Sequence, residues 1–157
     1  MVLNNRKIKD AGLPPPLSKA LKADFPEIQA ITRVKGAGSL LLSLGDTKGI
    51  MIQRCFFVDN SFLEIFSFPW AEGDRTTALM EPGSAVISED VARALFGVDE
   101  ALGKPIRLDH RYDLIVTGIL KEVPANSHIQ FDMLISYPSL LATYDKPTLE
   151  DWYSNWL

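Results

Sequence analysis

Residues 82–108 read PGSAVISEDVARALFGVDEALGKPIRL, and the rest of the chain is organised around this stretch. Ala85, Val86 and Ile87 make a short apolar strand. Ser88 follows as an N-cap whose hydroxyl can accept from an orphan amide of the next turn. Glu89 and Asp90 sit at the positive end of the helix that begins there, which suits their charge. Val91, Ala94 and Leu95 fall at i, i+3 and i+4 and predict one buried stripe, which Gly97 ends as a left-handed cap. Asp99 caps a further short turn that closes at Gly103; Pro105 then forbids helix, and Ile106 and Leu108 begin a strand. Strand, helix, turn and strand in so few residues form a compact α+β unit, and none of its side chains is poised for chemistry.

Upstream, residues 1–12 are polar and mildly basic and read as a frayed lead-in. Pro14, Pro15 and Pro16 set up a helix start. Leu17, Ala20, Leu21 and Phe25 then give an amphipathic stripe, with Lys19, Lys22 and Asp24 outside it and Pro26 as its stop. Ile28, Ala30, Thr32 and Val34 alternate as one side of a strand, which Gly36-Ala37-Gly38-Ser39 breaks. Residues 40–58 read as two strands joined by the Gly- and Asp-containing loop 45–49, a hairpin signal. Asp59, Asn60 or Ser61 caps a short helix through Phe62, Leu63, Ile65 and Phe66, halted at Pro69. The aromatics Phe56, Phe57, Phe62, Phe66, Phe68 and Trp70 mark a core junction. Residues 72–77 are a polar connection.

Downstream, residues 109–111 reverse the chain, and 112–120 form a strand apolar on both faces in its middle, hence an interior strand. After a turn at 124–127 comes the clearest alternation: Ile129, Phe131, Met133, Ile135 and Tyr137 inward, with His128, Gln130, Asp132 and Ser136 outward. That pattern predicts a half-exposed strand of a mixed or antiparallel sheet. Trp152, Tyr153 and Trp156 stand beside the end of the chain, and aromatics of that size call for a partner surface, which suggests a segment cut from a longer protein.

The chain has 157 residues, 46% of them hydrophobic and 23% charged, enough for one domain or two small subdomains and too apolar for disorder. A formal net charge of −4 without a basic patch gives no electrostatic reason to expect nucleic acid. Cys55 is the single cysteine, so neither an internal disulfide nor a cysteine metal cage can form. No apolar run approaches the ~18 residues of a membrane span, and the start lacks the core of a signal peptide. An exported location therefore requires a natural chain longer than this one.

Each candidate for chemistry has a plainer explanation. The G-x-G of residues 36–38 lacks a third glycine and a following helix, so it reads as a turn instead of a phosphate cradle. His128 and Asp132 lie four apart on a strand, about 13 Å at the backbone, too far to share one zinc. Asp109, His110 and Asp113 cluster at a turn whose own geometry calls for polar residues. The helix start accounts for Glu89 and Asp90, while Ser84 and Ser88 have neither a nucleophile elbow nor a histidine near them. Cys55 sits in an apolar strand, where burial leaves a thiol inert. No catalytic, cofactor-binding or metal site follows from the residues.

Five runs then carry a resemblance: ALKADFPEI from Ala20, FFVDNSFLEIFSFPWAEGD from Phe56, ALMEPGSAVISEDVARALFG from Ala78, ALGKPIRL from Ala101 and VTGILKEVPANSHIQFDMLISYPSL from Val116. In this order and spacing, from about Leu13 to the end, they resemble the periplasmic core domain of MacB-like, FtsX-type ABC transporter permeases, especially the large permeases of Bacteroidetes. The resemblance implies an α+β fold in which a smaller β-rich subdomain is inserted into a porter-like one. Residues 13–75 would be the first part of the porter-like subdomain, 76–124 the insert and 125–157 a return to the porter-like subdomain, truncated at the C-terminus.

It further implies a non-enzymatic domain on the periplasmic side of the inner membrane, without cofactor or metal, between the first two membrane helices of a permease. ATP would be hydrolysed by a separate ATP-binding subunit, and the permease dimer would relay the movement to cargo or to a periplasmic membrane-fusion protein, with no role for nucleic acid. The competing reading is a ligand- or peptide-binding module that uses the groove between subdomains. A pocket lined by aromatics with a few convergent polar groups would favour it, whereas a shallow, wet cleft would favour transmission.

Overall fold

Strands that are distant in sequence pair to build the body of this molecule. The computed structural model describes residues 2–3, 6–7, 12–47 and 49–142. Two short strands, β1 (Val2–Leu3) and β2 (Arg6–Lys7), pair antiparallel at the start. Then follow α1 (Leu17–Asp24), β3 (Val34–Ser43), β4 (Ile50–Val58), α2 (Ser61–Ile65), β5 (Trp70–Gly73), β6 (Ser84–Ser88), α3 (Glu89–Phe96), β7 (Pro105–Leu108), β8 (Tyr112–Leu120) and β9 (Met133–Ser136). A 3₁₀ turn at Tyr137–Ala142 comes last. Mixed helix and strand with a sheet-rich core is the α+β class expected from the sequence.

The larger sheet has seven strands in the order β5-β8-β6-β9-β4-β3-β7, and β7 returns to pair with β8. Six strands therefore close on themselves as a barrel, with β5 attached to β8. One edge of β8 serves two neighbours, since Tyr112 to Ile115 face β7 while Gly118 to Leu120 face β5; the other edge runs parallel to β6. Strands on both sides of residues 75 and 124 share this sheet, because β5 binds β8 and β9 binds β6.

Around residues 82–108 the local chemistry acts as its sequence requires. Ser88 caps α3 by accepting from the Val91 amide at 3.3 Å, and Gly97 closes the helix at φ 65°. The buried stripe differs from the expected one: Val91 is buried and Ala92, Leu95 and Phe96 pack beside it, while Ala94 is exposed. Both turns of this short helix thus meet the barrel, through Val91 and Ala92 in the first and Leu95 and Phe96 in the last.

Two cores lie on the two faces of the sheet. Inside the closed ring, Leu42, Cys55, Phe57, Ile87, Ile106, Leu114, Met133 and Ile135 pack together. Outside it, under α2, Phe62, Phe68, Leu79, Val86, Leu120, Phe131 and Leu134 form the second core. β9 therefore corrects the expectation of a half-exposed strand: Met133, Leu134, Ile135 and Ser136 are all buried, alternating between the cores. It is a central strand, parallel to β4 and antiparallel to β6.

Further differences concern the first third of the chain. Residues 28–33 form no strand, and Gly36 to Ser39 lie within β3 instead of breaking it. The ladder to β4 accommodates them by register shifts at Gly36/Gly38 and Gly38/Leu40, with Gly38 at φ 73°, a bulge conformation open to glycine. The α1 stripe exists only in part, since no residue of that helix is fully buried and Phe25, beyond its end, is 47% exposed. Part of the expected polar connection after Pro69 is strand β5.

At α2 the three capping candidates are spent elsewhere. Asp59 binds Arg33, Ser61 donates to the Ile31 carbonyl, and Asn60 accepts from the Leu79 amide while donating to the Thr76 carbonyl. Of the aromatics, Phe57 belongs to the inner core and the others to the outer one, where Phe131 joins them. Trp152, Tyr153 and Trp156 lie outside the described residues.

Candidate functional site

Ring closure leaves an opening at one end of the barrel. β4 contributes Phe57, β9 Ile135, β7 Leu108 and β8 Leu114, and the turn carrying Pro138 and Ser139 borders it, giving a mouth of about 470 Å³. Ser139 holds that border in place, accepting from the Gly83 amide at 2.9 Å while its hydroxyl lies 2.7 Å from that of Ser136. Polar character is confined to the rim, where the Arg111 guanidinium stands 5.5 Å over the Tyr112 ring near Asp113. Apolar walls with a polar rim suit the packing of an apolar side chain or segment, not proton transfer.

A second groove, of about 270 Å³, runs between α1 and the start of β3, with Pro14, Leu17, Leu21, Ile31 and Val34 as walls. Arg33 and Tyr137 line it as well, the guanidinium carbon 3.7 Å from the ring centroid. Arg33 grips Asp59 with Nε at 2.8 Å, Nη2 at 2.7 Å and its backbone amide at 2.9 Å. Burial works against the arginine charge, but the hydrogen bonds and the charge of Asp59 outweigh it and hold its pKa above the ordinary value. The Tyr137 hydroxyl is pushed up chiefly by burial, with Arg33 opposing. This cluster ties the chain before β3 to the end of β4 and to the 3₁₀ turn.

The residues considered for chemistry are not brought together. Asp113 binds Arg107 at 2.7 Å, Asp109 accepts from the Leu41 amide at 2.8 Å, and His110 is exposed between them. Arg107 pulls the Asp113 carboxyl below the usual range through its hydrogen bonds. Asp132 is committed to Arg54, while His128 is exposed. Glu89 and Asp90 occupy the first turn of α3, where Asp90 meets Arg93 at 3.4 Å, and Ser84 is buried in β6. The Cys55 thiol is pushed up to about 12, by burial first and then by the charges of Asp132 and Asp109, so it stays protonated at neutral pH. Among the described residues no three His, Cys, Asp or Glu side chains gather as a metal set.

Sequence reasoning missed the mouth, because its walls come from four strands with no shared motif. It also missed Arg107, which bridges Asp113 of β8 and Asp46 of the β3–β4 loop, both at 2.7 Å. The one local hint was a charge set between Ile106 and Leu108.

With this geometry established, comparison with known proteins places the chain. The family described as MacB-like periplasmic core domain matches residues 2–155. Similar solved structures include a domain of a protein described as a permease from Porphyromonas gingivalis, 24% identical with a TM-score of 0.78, covering 96% of this chain and 62% of that one. The periplasmic region of MacB from Actinobacillus actinomycetemcomitans is 15% identical, TM-score 0.59, with 88% and 61% covered. The extracellular domain of the noncanonic ABC-type transporter YknZ from Gram-positive bacteria is 14% identical, TM-score 0.55, with 80% and 65% covered. At these identities the likeness is one of fold, and the chain spans less than two thirds of each of these structures. No curated protein matches.

Proposed function

The chain belongs to the MacB-like periplasmic core domain family, and from that membership we propose that it is the extracytoplasmic domain of an ABC-transporter permease that transmits ATP-driven movement to a periplasmic partner or cargo. The observation that carries the reading is the closed sheet. Strands from residues 34–58, 84–120 and 133–136 are hydrogen-bonded into one ring with a core on each face, so a displacement at one point is passed on through packed structure. In this reading residues 76–124, which supply β6, α3, β7 and β8, are the inserted unit, and residues 13–75 and 125–157 belong to the frame that carries it. The ATP-binding subunit, a membrane-fusion protein and a second permease copy are the partners it calls for.

The test is made in the complete permease assembled with its ATP-binding subunit in proteoliposomes. Excision of residues 13–142 is expected to leave ATP hydrolysis in place and abolish export. Export that continues undiminished without the domain would sink the reading.

The apolar barrel mouth favours a second reading, a ligand- or peptide-binding module. Titration of the chain with apolar peptides, followed by the amide signals of Leu108 and Leu114, separates the two. Saturable binding that Leu114→Arg abolishes supports the module, and unchanged spectra support transmission alone.

A further inference from the structure

We propose that the seam between β3 and β7 is a latch, the place where the closed ring parts first and uncovers the apolar wall of the mouth. The inference rests on the fold alone and does not depend on a role in transport. Across this seam the ladder consists of Leu42 opposite Leu108 and Ser43 opposite Arg107. By contrast, β3 pairs with β4 from Val34 opposite Val58 as far as Leu42 opposite Ile50, and β6 pairs with β8 along its whole length.

Apart from a long bond of 3.4 Å from the buried Ser43 hydroxyl to the Arg107 carbonyl, what supplements the short ladder is polar and close to water. The Asp109 amide donates to the Leu41 carbonyl at 2.8 Å, and the Asp109 carboxylate accepts from the Leu41 amide at the same distance. Arg107 reaches across to Asp46 at 2.7 Å, but Asp46 is 89% exposed. Ion pairs in such a setting are weak and screened by salt. The turn that presents Asp109 holds a further tension: Asp109 and His110 sit at φ 50° and 55°, a left-handed conformation sparsely populated by residues with side chains.

Behind the latch lie Leu42 and Leu108, both buried, and Leu108 lines the mouth beside Phe57 and Leu114. Parting of β7 from β3 therefore enlarges the apolar opening while the pairs β6–β8, β6–β9 and β4–β9 stay intact. Segments held by few, solvent-accessible hydrogen bonds open at lower free energy than the core around them.

Amide hydrogen exchange of the 157-residue chain, followed by NMR, tests the latch. The reporters are the Asp109 amide, bonded across the seam, and the Ser88 amide, bonded to the Asp132 carbonyl away from it. In the unmodified chain Asp109 is expected to be protected at least about tenfold less than Ser88. Raising salt from about 0.05 to about 1 M, or substituting Asp46→Asn at its exposed position, should lower Asp109 protection a further 2- to 5-fold or so and leave Ser88 unchanged. Asp90→Asn, on α3, should alter neither. Equal protection of the two amides, a parallel loss at both, or an Asp109 amide indifferent to both salt and Asp46→Asn would each overturn the proposal.

Discussion

Arg54 and Asp132 clasp each other through backbone and side chain together. The Arg54 amide and Nε both donate to Asp132 Oδ2, at 3.3 and 3.2 Å, Nη2 donates to Oδ1 at 2.6 Å, and the Asp132 amide returns a bond to the Arg54 carbonyl at 2.8 Å. The pair stands immediately before Cys55 and Met133, where the parallel ladder of β4 and β9 begins, so it sets that register. Because the arginine side chain is 53% exposed, much of the charge interaction is screened. Asp132→Ala is expected to lower the unfolding free energy by about 1–2 kcal/mol, and Arg54→Met by about 0.5 kcal/mol, in urea titrations.

Trp70 covers Gly118 so closely that a Cβ there would lie 2.6 Å from Cζ2 and 2.8 Å from Cη2 of the indole. The ring is itself tethered, since Nε1 donates to the Gly73 carbonyl at 2.8 Å. Gly118→Ala should therefore displace the indole and destabilise the chain by about 1–3 kcal/mol. Thermal melts read the loss, and tryptophan fluorescence should shift to the red as the ring moves toward water.

The Cys55 thiol, raised to about 12 in the fold by burial and neighbouring charge, ionises near its ordinary value once unfolded. Between those two values the native state binds the extra proton, so this contribution to stability is complete below about pH 9 and is lost as pH rises toward 12. Wild-type stability should fall over that window by up to about 1.4 kcal/mol per pH unit more than that of Cys55→Ala. At pH 8 iodoacetamide should leave the native chain unlabelled and label it after unfolding.

Phe131 joins the outer core edge-on to two rings, 4.9 Å from Phe68 and 6.0 Å from Phe62 between centroids. Phe131→Ala removes a buried ring packed against Phe62 of α2 and against Phe68 and should cost about 3–5 kcal/mol. Phe66→Ala, at a half-buried position of the same cluster, should cost less. Denaturant midpoints compare the two.

What the sequence made legible was local. The Ser88 cap, the Gly97 stop, the loop between β3 and β4 and the extents of β7 and β8 all follow from residues a few positions apart. Where the outcome depended on distant partners, local patterns misled. The alternation holds only over Met133–Ile135, where an outer core supplied by α2 covers the face that solvent was expected to occupy; residues 129–132 form no strand, and Ile129 and Phe131 pack in that outer core instead of beside Met133 and Ile135. Gly36 and Gly38 looked like a break because nothing nearby shows that β4 holds β3 through two bulges. The mouth could not be read at all, since Phe57, Leu108, Leu114 and Ile135 become neighbours only when the ring closes. The expectation of subdomain boundaries near 75 and 124 rests on a family resemblance, and no residue beside those positions announces that the strands on either side share a sheet.

The sharing of one β8 edge between β7 and β5, with β6 along the other, makes the domain's mechanical strength anisotropic. A pull along the axis of β8 loads its flanking hydrogen bonds together in shear. A pull at right angles to it, applied at β5 or β7, unzips them one after another. The direction of a force, as much as its size, thus decides whether this barrel carries a load or yields to it.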